Sequence, residues 1–247
     1  RVSRSETASP SRTASSQAAP AGPVLDCRNV SLHAIKDLSL SIAPGSVTAV
    51  MGESGSGKTL LMELFAGLRV PEEGTVVRGE GIETALAVQE SEASLFAEFV
   101  ADDVAYGPRN LGLAGQELVA RVSSAMDQVG LPFGLFADRR TFSLSGGERR
   151  KAALAGILAM DADVILLDEP SSALDVRSRS QLLGLIRNLG DSGKTVVFTT
   201  NRAEECAIAD SVVTLPSPLA QSGVPLAQSD AHSPQPALGA KKRKDLR

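Results

Sequence analysis

Eight consecutive residues, Gly52, Glu53, Ser54, Gly55, Ser56, Gly57, Lys58 and Thr59, limit what this chain can fold into more than any other feature. They satisfy the pattern G-x-x-x-x-G-K-[ST]. Before them, Ser46 to Met51 is a short run rich in Val and Ala; after them, Lys58 to Leu68 carries apolar residues at helical spacing. The expected order is strand, loop, helix. Glycines let the backbone curl so that its N–H groups point inward, and the start of the helix adds positive potential, so such a loop cradles phosphate. In that setting Lys58 reaches toward β and γ phosphates and Thr59 offers its hydroxyl to magnesium. The rival, a chance Gly-rich turn, does not account for the strand and the helix on either side.

The rest of the pattern agrees with a parallel α/β sheet. Val164 to Leu167 and Thr195 to Thr199 are apolar runs without alternation, as strands covered on both faces require, and Ser211 to Leu215 is a further candidate. Val176 to Leu189 and Ala203 to Ala209 suit crossover helices. Between Glu90 and Leu144 the periodicity turns helical, clearest in Leu118 to Val129, so a helical insertion at about 90–145 is expected on the sheet core. Residues 1–22 and 216–247, rich in Ser, Ala, Pro and Gln, lack the apolar area that offsets ordering entropy; they are expected to be a disordered arm or linker and a disordered tail flanking a domain at 23–215.

Composition excludes several classes of function. With 25 Lys plus Arg against 29 Asp plus Glu the net charge is -4, so no overall basic field holds a nucleic-acid backbone, and nucleic acid is not an expected partner. The Lys241 to Lys244 run reads as a solvated tail, and the charges Glu148 to Lys151 as protein-contacting. Cys27 and Cys206 cannot build a disulfide framework or a cysteine zinc cluster, and are expected as reduced thiols. The most apolar stretch, Ala152 to Leu167, is interrupted by Asp161 and Asp163, so no membrane helix is expected.

Two further motifs belong with the loop. Val164 to Leu167 ends in Asp168 and Glu169, at the place where a phosphate-loop protein puts a magnesium-side carboxylate and then a base for water. Ligands gather at the carboxyl ends of parallel strands, so both acids should face the crevice at Gly52. Ser145, Gly146 and Gly147 precede a helix expected to begin near Arg149, which makes a second phosphate cradle. One domain needs one cradle; the other would serve a neighbouring subunit in a head-to-tail pair. A simple capped helix is the alternative.

Together these motifs resemble the nucleotide-binding domain of ATP-binding cassette (ABC) proteins over Val24 to Leu215. The resemblance implies a P-loop NTPase, RecA-like core with an N-terminal antiparallel β flap and the helical insertion as a subdomain. It implies ATP and Mg2+ at Gly52 to Thr59, with metal contacts from Thr59, Asp168 and Gln89, and Glu169 as catalytic base beside Lys58. Ser145, Gly146 and Gly147 match the LSGG motif that contacts ATP across a dimer, Ser171 to Asp175 the D-loop, and Gln89 the Q-loop facing a transmembrane permease. Ala101 to Leu113 is similar to the stretch after the Q-loop in ATPase subunits of energy-coupling factor importers. The implied protein is the ATPase of a membrane importer. It would sit peripherally on the cytoplasmic face of the membrane, paired with a second ABC ATPase domain.

The departures carry expectations of their own. The family places a switch His after the last core strand; Asn201 stands here, and it donates a hydrogen bond but carries no proton. Reduced hydrolysis is one expectation, and a cassette that binds ATP structurally is the alternative; a soluble ABC ATPase without a permease is the other. His33 occupies the region of an adenine-stacking ring, as a stacking partner or a polar turn residue. Residues 74–89 are shorter than usual, and the closing hairpin after Val213 is replaced by the Pro-rich segment. Phe96 and Tyr106 are either packed or presented to the membrane partner.

Overall fold

The computed structural model describes residues 22–89 and 91–217, so the expectations for the arm and for most of the tail lie outside the described residues. Strands β1 (Leu25–Leu32), β2 (Ile35–Ile42) and β3 (Val47–Met51) lead into helix α1 (Lys58–Ala66), followed by β4 (Glu73–Arg78) and β5 (Thr84–Ala87). The helices α2 (Val100–Asn110), α3 (Gly115–Gln128), α4 (Phe133–Phe136) and α5 (Gly146–Ala159) come next. The chain ends its described course with β6 (Val164–Leu167), α6 (Val176–Asp191), β7 (Thr195–Thr200) and β8 (Ser211–Thr214).

Two sheets form. β5-β6-β7-β3-β8 is parallel throughout its pairings, and β2-β1-β4 is antiparallel. The central strands of the parallel sheet are buried over nearly their whole length because both of their faces are covered. Alternate side chains divide between two cores. Val47, Ala49, Ile165, Leu167, Val196 and Phe198 join α2, α3, α5 and α6. Val50, Val164, Leu166 and Val197 instead meet α1 and the antiparallel sheet. Full burial of a side chain such as Phe65 or Phe198 stabilises the fold by roughly 1.5–3 kcal/mol. This is an α/β, P-loop NTPase architecture.

The structure departs from the sequence reading in several local details. Helix α1 stops at Ala66 because Gly67 caps it in a left-handed conformation, with φ 73°. Helix α5 begins at Gly146 rather than near Arg149, because Ser145 and Glu148 form a capping box. Residues Ala203–Ile208 are a 3-10 helix of six residues rather than a crossover α-helix, within the short connection from β7 to β8, and the side chain of Glu205 is drawn inward. Strands β4 and β5 had no apolar run to announce them. β4 is mostly exposed, and β5 is four residues with two alanines; pairing with β1 and β6 makes them strands.

The parallel register aligns the ends that matter. Ala87, Leu167 and Phe198 are level across β5, β6 and β7, and Met51 is level with Thr200. The segments after β3, β5, β6 and β7 therefore open on one edge of the sheet.

Candidate functional site

At that edge, residues Gly52 to Gly57 curl between β3 and α1, with φ at Gly55 and Gly57 of 83° and 98°. Only glycine adopts such angles freely. A Cβ on Gly57 would meet Ile35 Cγ1 at 2.9 Å, and one on Gly52 would stand on the hydroxyl of Ser56. Ser56 Oγ is buried and has no hydrogen-bond partner among the described residues. Helix α1 has no side-chain cap and no acidic residue in its first turn. Its leading N–H groups are therefore left for an anion from outside the chain.

Lys58 is almost fully buried. Its Nζ donates to the carbonyls of Gly52 and Glu53 at 2.9 and 3.0 Å and lies 3.1 Å from Glu169 Oε1. Thr59 donates to Asp168 Oδ2 at 2.7 Å, while Thr199 at the end of β7 donates to Asp168 Oδ1, also at 2.7 Å. The Thr199 hydroxyl in turn accepts the N–H of Glu169 at 2.7 Å. Glu169 itself has φ 44°, a left-handed backbone that costs a non-glycine residue about 1–2 kcal/mol. Such strain persists where surrounding bonds over-determine it, and it is concentrated at functional sites.

The structure therefore brings Lys58, Thr59, Asp168 and Glu169 together. Thr199 belongs to the same set and was not singled out from sequence; the Thr pair ending a buried strand was the available signal. Gln89 is exposed, two residues past the end of β5. Asn201 is exposed just after β7 and lines a cleft of about 200 Å³ with Glu169, Ser171, Ala173 and Arg202. His33, with φ 51°, is the first residue of the β1–β2 turn and forms a 3.2 Å pair with Glu72. No group of three or more His, Cys, Asp or Glu side chains among the described residues is arranged to hold a metal alone. Thr59 and Asp168 are oxygen donors of the kind that magnesium shares with phosphate and water, so the residues present fit that ion with its nucleotide.

Ser145, Gly146 and Gly147 lie elsewhere. Ser145 Oγ accepts the Glu148 N–H at 3.3 Å, and Glu148 Oε2 accepts the Ser145 N–H at 2.8 Å. The Ser145 N–H bond, and after it the Ser145 hydroxyl donating to the same Oε2 at 2.7 Å, hold the Glu148 carboxyl below its usual range. Gly146 and Gly147 are exposed, and a Cβ on either would meet nothing within 4 Å. Gly147 lines a cavity of about 380 Å³ with Gln128, Lys151, Ser178 and Gln181, none of which comes from the Gly52 loop. Phe96 and Tyr106 pack edge to face, with centroids 4.8 Å apart, yet remain 58% and 53% exposed.

The family model described as ABC transporter matches residues 35–172, more than half of the chain. The energy-coupling factor transporter ATP-binding protein EcfA2 of Streptococcus pneumoniae is 38% identical over 189 residues, covering 70% of this chain and 67% of that protein. A putative ABC transporter ATP-binding protein of Bifidobacterium longum is 38% identical over 219 residues, but the chain spans only 28% of its length. Among solved structures, cbiO1 of Clostridium perfringens, part of the ABC transporter complex cbiONQ, superposes with a TM-score of 0.72 at 26% identity. That match covers 78% of this chain and 85% of the other.

Proposed function

The chain belongs to the ABC transporter family, and we propose that the protein is an ATP-hydrolysing subunit of an energy-coupling factor type importer. The observation that carries this reading is the convergence of Thr59 and Thr199 on Asp168 beside the Lys58–Glu169 pair, at the start of a helix that its own chain leaves uncapped. A triphosphate would lie on the N–H groups of residues 52–59, with Thr59, Asp168 and, from the Q-loop, Gln89 on the magnesium side. Magnesium, when bound, supplies charge neutralisation at the β and γ phosphates. Glu169 is the base that orients water, and Lys58 the cation that offsets developing charge.

Two copies, or this chain and a second cassette, would close head to tail, so that Ser145, Gly146 and Gly147 of one meet the nucleotide of the other. The glycines support this: nothing among the described residues requires a missing side chain at 146 or 147. No helix among the described residues is long and apolar enough to cross a membrane. Attachment to the cytoplasmic face is therefore assigned to a permease, docked near Gln89 and the exposed Phe96–Tyr106 pair. The similarity to EcfA2, named an energy-coupling factor transporter ATP-binding protein, supports a transporter of that type.

Asn201 favours one second reading, a cassette that holds ATP and turns over little, because Asn cannot shuttle a proton. ATPase assays separate the two. For a hydrolytic subunit Glu169→Gln lowers kcat by about 100-fold or more, and Asn201→His raises it. A wild-type rate no higher than that of Glu169→Gln overturns hydrolysis and leaves the binding module.

A further inference from the structure

Glu205 is completely buried, yet none of the steps above uses it. Its carboxylate is divided between two strands of chain. Oε1 accepts the Ser171 hydroxyl at 2.6 Å, and Oε2 accepts the Thr200 hydroxyl at 2.7 Å. Ser171 stands two residues after Glu169, and Thr200 one residue before Asn201. The cleft of about 200 Å³ is lined by 169 and 171–173 on one side and by 200–202 on the other. The carboxylate thus ties together the two walls of the cleft that Glu169 and Asn201 both line.

The surrounding bonds show that this is a built junction. Arg179 Nε, from α6, stands 3.5 Å from Oε1, and Arg202 Nε 3.9 Å from it, so a buried negative charge has cations on two sides. Arg179 also donates to the Leu174 carbonyl at 3.0 Å, and Arg150 of α5 donates to the Ser172 carbonyl. On the other wall the Thr200 hydroxyl accepts the Arg202 N–H at 3.0 Å while donating to Glu205. Neighbouring Thr199 holds Asp168 and the Glu169 N–H. The two links that Glu205 accepts, from Ser171 and Thr200, are short bonds between buried groups, and a carboxylate has a fixed span between its oxygens.

We propose that Glu205 is a positioning residue for hydrolysis: it holds the 169–173 loop and the Thr200–Asn201 turn at one separation. The proposal rests on the hydrolytic reading given above. Any displacement of the 171–175 segment by a second subunit is passed through Ser171, Glu205 and Thr200 to Asn201, so base and switch position move together. Phosphate binding by residues 52–59 does not pass through this link.

The test uses the full chain with Glu205→Gln, Ser171→Ala and Thr200→Val, each measured for ATP turnover and for backbone amide exchange. Glu205→Gln keeps the shape and one acceptor, and is expected to lower kcat by roughly 10-fold with KM for ATP within about twofold, because small misplacement of reacting groups is costly in rate. Ser171→Ala and Thr200→Val each give part of that loss, and neither adds fully to Glu205→Gln, as links in one chain behave. Amides of Ser172, Leu174 and Arg202 exchange faster in all three, while those of residues 53–59 do not. Wild-type kcat in Glu205→Gln, a loss confined to KM, or unchanged exchange at 172, 174 and 202 would overturn the proposal. The exchange readout decides the clamp even if the wild type hydrolyses nothing, which would overturn the hydrolytic reading separately.

Discussion

The starts of α1 and α5 are both glycine-flanked helix N-termini, but the chain treats them in opposite ways. At α1 the glycines are demanded from within: Gly55 and Gly57 have positive φ, and side chains at 52 or 57 would collide with Ser56 or Ile35. The helix end itself carries no cap and no acid. At α5 the end is closed by the Ser145–Glu148 capping box, yet a Cβ on either glycine would meet nothing among the described residues. A helix start with strained glycines and free donors is a site its own chain has built around an external anion. A helix start with a capping box and glycines that no described neighbour requires is the surface proposed above for a second subunit.

The largest effect that sharpens this contrast is expected from Lys58→Ala. Removing the cation among the loop carbonyls and Glu169 should abolish ATP turnover, by about 100-fold or more, in a protein that remains folded by circular dichroism. Gly147→Val should separate function from fold at the other end. Its side chain meets open space, so stability should change by about 0.5 kcal/mol or less in denaturant titration. ATP-dependent pairing, followed by size-exclusion chromatography in the Glu169→Gln background, should be lost. Pairing that survives Gly147→Val would break the comparison.

Stability reverses the order of the two sites. Gly57→Ala forces an alanine to φ 98° and should destabilise the fold by about 1–2 kcal/mol. Gly146→Ala, in the first turn of α5, should be neutral or slightly stabilising. Ser145→Ala removes the cap and should cost about 1 kcal/mol, read as a lower unfolding midpoint.

The smallest expected effect is a pH dependence at α5. The Ser145 bonds hold the Glu148 carboxyl below its usual range in the folded state. Its contribution is thus complete above the unfolded pKa of about 4.3, and is lost as pH falls through the lower folded value. Melting curves from pH 6 down to pH 3 should show this loss in the wild type and a flatter profile in Glu148→Gln. At neutral pH Glu148→Gln also removes a negative charge from a surface assigned to phosphate, and should tighten ATP-dependent pairing.

What could be determined from sequence was local. The loop at Gly52, the buried runs at Val164 and Thr195, and the helix at Val176 each announce themselves within a dozen residues. Glycine geometry, helical spacing and unbroken apolar runs act over that range, and they gave the α/β class and the identity of the loop. β4 and β5 stayed hidden because their side chains carry little preference, and partners far along the chain make them strands. The start of α5 was misplaced by three residues because the reciprocal Ser145–Glu148 bonding, a matter of side-chain geometry, sets it. Tertiary structure alone decided that Thr199 would share Asp168 with Thr59, a residue 109 positions before that acid. It alone buried Glu205 between Ser171 and Thr200. A hydroxyl or a carboxylate specifies no partner until strand register brings one within about 3 Å, and register belongs to the sheet as a whole.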